Sequence, residues 1–148
     1  MGVSVRIGPD GYTSEVDASG HRFLADEPAS VGGDDKGPSP YDLLLASLGA
    51  CTVMTLRMYA DRKGWALRAA SVELSHSRVH ARDCEECESV AGMITRIDRR
   101  LSLEGDLTGE QRDRLLEIAE RCPVHRTLEG EVRISTALTD DAGMDAPQ

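Results

Sequence analysis

Positive charge is scarce in this chain. There are 17 Lys and Arg against 26 Asp and Glu, a net charge of -9 over 148 residues, and that balance disfavours nucleic-acid backbones and anionic membranes as partners. The opening MGVSVRIGPDGYTSEV has neither the basic start nor the apolar core of a secretory signal, so a cytoplasmic protein with reduced thiols is expected. The longest uncharged apolar run, Leu43–Leu56, is too short to cross a bilayer and is followed directly by Arg57; it reads as a buried helix. No internal repeat or low-complexity block appears. At this length one domain is predicted over residues 1–138, with a polar tail at 139–148 expected to be disordered.

What is present divides at its Gly, Pro and Asp punctuation. Val3, Val5 and Ile7 alternate with polar residues, GPDG breaks the pattern, Tyr12 to Asp17 resumes it, and a turn at Ala18-Ser19-Gly20 leads into His21–Leu24. That pattern predicts a three-stranded antiparallel meander. The loop GGDDKGPSP ends in a helix start: Ser39 as N-cap, Pro40 at the first position, Asp42 three residues after the cap, with Gly64 as the stop. The helix of about 41–63 is apolar on most of its circumference, as expected of a central helix covered on several sides.

Further strands are predicted at Ala70–Val79 and around Ile97, Arg99, Leu101 and Leu103, with HARDCEECESVAG as the loop between them. Thr108 and Gln111 form a second capping box. Leu115, Leu116, Ile118 and Ala119 then make an apolar helix face up to Cys122, where Pro123 ends the helix. A last strand, Glu131–Leu138, carries Val132, Ile134 and Thr136 on one face. The order is that of an α+β domain.

The four cysteines fall into two pairs. Cys84 and Cys87 form a CxxC in an acidic loop, while Cys51 sits in the central helix and Cys122 at a helix break beside Pro123, His125 and Arg126. Cys51 alone reads as a small inert core residue. Irregular backbone and nearby positive charge around Cys122 can stabilise a thiolate. Patterning does not say whether the two meet.

GPSPYDLLLASLGACTVMTLRMYADRKGW and, far downstream, ERCPVHRTL resemble the two cysteine motifs of the OsmC/Ohr family, the osmotically inducible and organic hydroperoxide resistance proteins. The resemblance covers most of the chain. It implies an OsmC-like fold in an intertwined homodimer, with the site at the subunit boundary. It also implies thiol peroxidase chemistry in oxidative stress defence: Cys51 attacks an organic hydroperoxide and becomes a sulfenic acid, Cys122 resolves it to a disulfide, and a dithiol reductant, lipoyl-bearing or thioredoxin-like, resets the pair. No cofactor is implied.

The motif departs from the family at one point. The family's better-known peroxidases carry a glutamate right after the loop-to-helix proline, where this chain has Tyr41, and pair it with an arginine for which Arg6 and Arg22 are the nearby candidates. Arg126 or His125 is the conjectured substitute as a source of positive charge. Two other functions stay open: a non-enzymatic redox sensor or ligand-binding protein of the same fold, and a metal-binding protein. The metal reading rests on His76, His80, Cys84 and Cys87, which offer Cys2His2 zinc ligation in one continuous segment. Against it stand an auxiliary redox dithiol and, as the leading expectation, a surface loop with two ordinary thiols.

Overall fold

Both capping boxes form. The computed structural model describes residues 2–84 and 91–139, and in it the Ser39 hydroxyl accepts from the Asp42 amide at 3.2 Å while the Asp42 carboxylate accepts from the Ser39 amide at 3.0 Å. Together with Pro40 at the first position they start α1, Pro40–Lys63, which Gly64 ends in the left-handed conformation (φ 70°). Thr108 and Gln111 repeat the reciprocal pair at the start of α2, Gly109–Ala119.

The strands before α1 are β1 (Val3–Ile7), β2 (Ser14–Ala18) and β3 (His21–Ala25), an antiparallel sheet in the order β1-β2-β3. It is joined to α1 by a loop tied down at Asp26, which is 2% exposed. Its carboxylate accepts from the Thr13 hydroxyl at 2.7 Å and from the amides of Glu27 and Lys36 at 2.7 and 3.3 Å. The Thr13 bond leads in holding that carboxyl below the usual range; burial opposes it and the backbone amides reinforce it.

After α1 come two long strands, β4 (Ala66–His80) and β5 (Met93–Asp106), paired antiparallel with a register shift between Leu67 and Ala69. Both extend well beyond the spans that alternation predicts, through residues 66–69 on one strand and 93–96 on the other, because pairing continues as far as the partner strand does. Leu48, Thr52, Leu56 and Ala60 are buried, one on each successive turn of α1. Leu56 and Ala60 pack with Leu67 of β4 and Leu115, Ile118 and Ala119 of α2 into the main core. The close approach to β4 is made at Gly49, where an added Cβ would lie 2.9 Å from Leu74 Cδ1 and 3.3 Å from Val72 Cγ1.

Among the described residues that stripe of α1 is the most deeply covered. Met54 and Met58 are exposed, so the helix that reads as apolar all round has an open apolar face. At 24 residues, with an 18-residue stretch of mean hydropathy 1.5, α1 has the length and composition of a membrane span, which the shorter uncharged run does not suggest. Here it is docked on β4, and Arg57 donates to the carbonyls of Leu67 and Arg68 at 2.7 and 3.3 Å.

Three sequence expectations need correction. Pro123 does not simply end a helix: α2 stops at Ala119, and Pro123 opens a further helix, α3 (Pro123–Glu129). The steric demand of Pro123 holds Cys122 extended (φ -64°, ψ 142°), and that is the backbone geometry of an N-cap. Leu116 is exposed, outside the buried face of α2. Glu131–Leu138 forms no strand; it runs as exposed coil with Ile134 87% exposed, because no sheet edge among the described residues pairs with it. Residues 140–148, the expected tail, lie outside the described residues.

Candidate active site

Cys51 and Cys122 are brought together. Cys51 is half-buried on α1, and its thiol is one of the groups that pull down Cys122, fully buried at the start of α3. The Cys122 Sγ also accepts from the His125 amide at 3.3 Å, as an N-cap side chain does, and lies 3.9 Å from Thr52 Oγ1. Thr52, one residue after Cys51, donates to the Leu48 carbonyl at 2.7 Å.

The charge at this site comes from β5. Arg99, half-buried opposite Leu74, donates through Nη1 to Thr52 Oγ1 at 2.8 Å and through Nη2 to His125 Nδ1 at 3.0 Å. His125 Nε2 meets Glu129 Oε1 at 2.7 Å. Burial pushes the Cys122 thiol up, but the His125 amide, the Cys51 thiol, the Thr52 hydroxyl and the Arg99 charge pull it down, and the balance lies below an ordinary thiol. A lowered thiol beside a second thiol is the arrangement required for reversible disulfide chemistry. A cleft of about 310 Å³ lies alongside, walled by Leu48, Ile97, Leu101 and Leu128 and edged by Arg99 and His125.

The sequence profile of the OsmC-like proteins matches residues 33–137, a stretch that holds both cysteines and the network around them. The chain belongs to the OsmC-like family. No curated protein matches it significantly. Among solved structures, an OsmC-like protein from Mycoplasma pneumoniae superposes with a TM-score of 0.68 at 19% identity, covering 87% of this chain and 86% of that one. An organic hydroperoxide resistance protein OsmC from Legionella pneumophila gives 0.63 at 19% identity over 86% and 88%. The organic hydroperoxide resistance protein OhrB of Bacillus subtilis gives 0.59 at 22% over 87% and 90%. These likenesses establish the OsmC-like fold.

Within this OsmC-like site the other sequence candidates are placed elsewhere. Tyr41, at the family's glutamate position, stacks on His76 with ring centroids 4.6 Å apart. Arg6 is exposed on β1, and Arg22 pairs with Asp17 at 3.2 Å on an exposed face. Arg126 is exposed as well. Of the two residues after Pro123 proposed to supply charge, His125 is present but contributes its amide and ring, while the cation is Arg99. One signal for Arg99 was available: it shares a strand face with Ile97, Leu101 and Leu103, and an arginine on an apolar strand face requires a partner inside.

Cys84 is disulfide-bonded, so the expectation of ordinary thiols in that loop fails for this residue. A sulfur held in that bond is not a thiolate ligand for zinc. Among the described residues no group of three or more His, Cys, Asp or Glu is arranged to hold a metal. Cys87 lies outside the described residues.

Proposed function

We propose that this protein is a thiol peroxidase that reduces organic hydroperoxides through Cys51 and Cys122. The observation carrying the reading is that α1 brings Cys51, with Thr52 beside it 3.9 Å from Cys122 Sγ, up to the start of α3, where Cys122 is lowered toward thiolate. Cys51 is the half-exposed sulfur that a peroxide can reach; Cys122 has no exposed surface. The Cys51 thiol passes its proton to Cys122 as its sulfur attacks the terminal peroxide oxygen. The O–O bond breaks, the leaving alkoxide takes that proton back from Cys122 and departs as the alcohol, and Cys51 becomes a sulfenic acid. Cys122, again a thiolate, attacks that sulfur and expels hydroxide, which takes a proton from solvent and leaves as water. Two electrons have passed from the dithiol to the peroxide, and an external dithiol protein, lipoyl-bearing or thioredoxin-like, returns them by exchange.

The apolar cleft favours a peroxide with a hydrocarbon tail, since a tail gains by leaving water and hydrogen peroxide has none. We place the protein in the cytoplasm as a homodimer. Val3, Val5 and Ile7 of β1, Met54 and Met58 of α1, and the arm 131–139 all expose apolar side chains that a second copy would cover. The names of the Legionella and Bacillus proteins agree with the peroxide reading. A redox sensor built on the same pair is the second reading, favoured by the tyrosine that stands where the family's peroxidases have a carboxylate.

The test is one equivalent of cumene hydroperoxide on the reduced protein, followed by non-reducing peptide mapping. A Cys51–Cys122 disulfide is expected. Cys51→Ser should abolish peroxide loss, and Cys122→Ser should stop at one oxidation of Cys51. Peroxide consumption that continues in Cys51→Ser sinks the assignment, and a disulfide formed without turnover under a dithiol supply favours the sensor.

A further inference from the structure

We infer that Arg99 is the positioning residue of this dithiol: it holds Thr52 and His125 in place around Cys122 and supplies the cation that faces the sulfur. The inference rests on the dithiol being the reactive centre. It begins with Arg99's location. The side chain lies on the inward face of β5 between Ile97 and Leu101, where an ionised group needs compensation. Among the described residues no carboxylate comes within ion-pair distance of it. Its two contacts are neutral, a hydroxyl and an imidazole nitrogen.

A guanidinium can only donate, so Nδ1 of His125 must be the unprotonated nitrogen and Nε2 carries the hydrogen that goes to Glu129. Glu129 is the nearest acid in the chain of contacts, and the histidine ring separates it from the guanidinium. Arg99 is left with one candidate counter-ion, the thiolate that the Cys51 and Cys122 pair can form.

The same contacts place the neighbours of that sulfur. Arg99 occupies a lone pair of Thr52 Oγ1 while the threonine hydrogen goes to the Leu48 carbonyl, and that anchors the hydroxyl 3.9 Å from Cys122 Sγ. The grip on Nδ1 orients the residue whose amide caps the sulfur. The groups facing Cys122 are thus Cys51 and Thr52 from α1, Arg99 from β5 and His125 from α3, with Glu120 and Glu129 on the rim of the adjoining cleft. Positive charge close to a thiol lowers its pKa, and removing it reverses the effect.

The test is an NMR titration of the reduced full-length protein carrying 13Cβ-labelled cysteine, with Cys122 assigned from Cys122→Ser. Arg99→Gln should raise the Cys122 midpoint, while Arg99→Lys, which keeps the charge without the fork, should recover part of the shift. A purely structural role for Arg99 predicts a lower melting temperature with an unmoved midpoint. An unmoved midpoint in folded Arg99→Gln, or in Arg99→Lys and Thr52→Val should Arg99→Gln not fold, overturns the inference. The titration uses no peroxide. A shifted midpoint in a protein that consumes no hydroperoxide would refute the peroxidase reading and leave Arg99 in its role. Active wild type with an unmoved midpoint would do the opposite.

Discussion

Arg99 Nη2 donates to His125 Nδ1 at 3.0 Å, and this contact fixes the tautomer of the imidazole beside the dithiol. The other guanidinium arm ends on Thr52 at 2.8 Å, so one strand residue braces two helices on either side of a buried sulfur. The reactivity of Cys122 is consequently a property of three elements that are distant in sequence.

Thr52 is the most direct place to perturb that bracing without altering charge or volume. Thr52→Val removes the hydroxyl that lies 3.9 Å from Cys122 Sγ and leaves an Arg99 donor unpaired. Disulfide formation after peroxide should slow roughly tenfold, the equivalent of about one pH unit in thiolate population. Thr52→Ser should stay close to wild type. Quenched-flow sampling with non-reducing mass analysis gives the rate, and equal rates in the valine variant and wild type refute the hydroxyl's part.

Asp26 gives a pH-dependent stability whose sign follows from its lowered carboxyl. A group with a folded value below its unfolded one contributes stability that is fully present above the unfolded carboxylate value and is lost as pH falls through the folded one. Asp26→Asn should lower the melting temperature by several degrees at neutral pH, with the gap to wild type closing in acid. Calorimetry from pH 7 down to pH 3 measures it, and a gap that stays constant across that range contradicts the role given to the Thr13 and amide contacts.

Cys84 is disulfide-bonded and belongs to neither of the paired motifs. Replacing Cys84 and Cys87 together by serine should leave peroxide turnover under saturating dithiol within about twofold of wild type, a change of less than 0.5 kcal/mol in barrier. Loss of activity in a double variant that keeps its circular dichroism spectrum would make the CxxC an obligatory part of the cycle.

The exposed methionines of α1 and the arm beyond Gly130 predict association. Light scattering at low micromolar concentration should return twice the 16.0 kDa chain mass, and removal of residues 131–148 should weaken the assembly. A stable folded monomer of the full chain rules out the dimer.

Much of this architecture could be read from the sequence because it is encoded locally. A serine or threonine with an acid or amide three residues on, a proline at the first helical position and a glycine at the end fix their own neighbourhood, and the observed helix starts match. Residues 131–138 show the opposite case. Their alternation is that of a strand, but a strand is a relation between two segments, and among the described residues none pairs with them. The site was legible only in part for the same reason. Cys51 and Cys122 announce themselves by motif, whereas Arg99 is an ordinary strand residue until the register sets it opposite Leu74 and the packing of α1 brings Thr52 to it. The double use of Pro123, stopping one helix and starting another, was readable from the Cys-Pro pair and is a matter of local sterics.

Leu74 is also the residue that meets α1 at Gly49, one turn before Thr52. With no side chain at Gly49, the helix lies close against the strand that faces Arg99, and Leu74 fills the room a methyl group would take. A methyl group there would meet only the ends of Leu74 and Val72, so the seam between helix and sheet is closed by side chains that can turn and not by backbone against backbone.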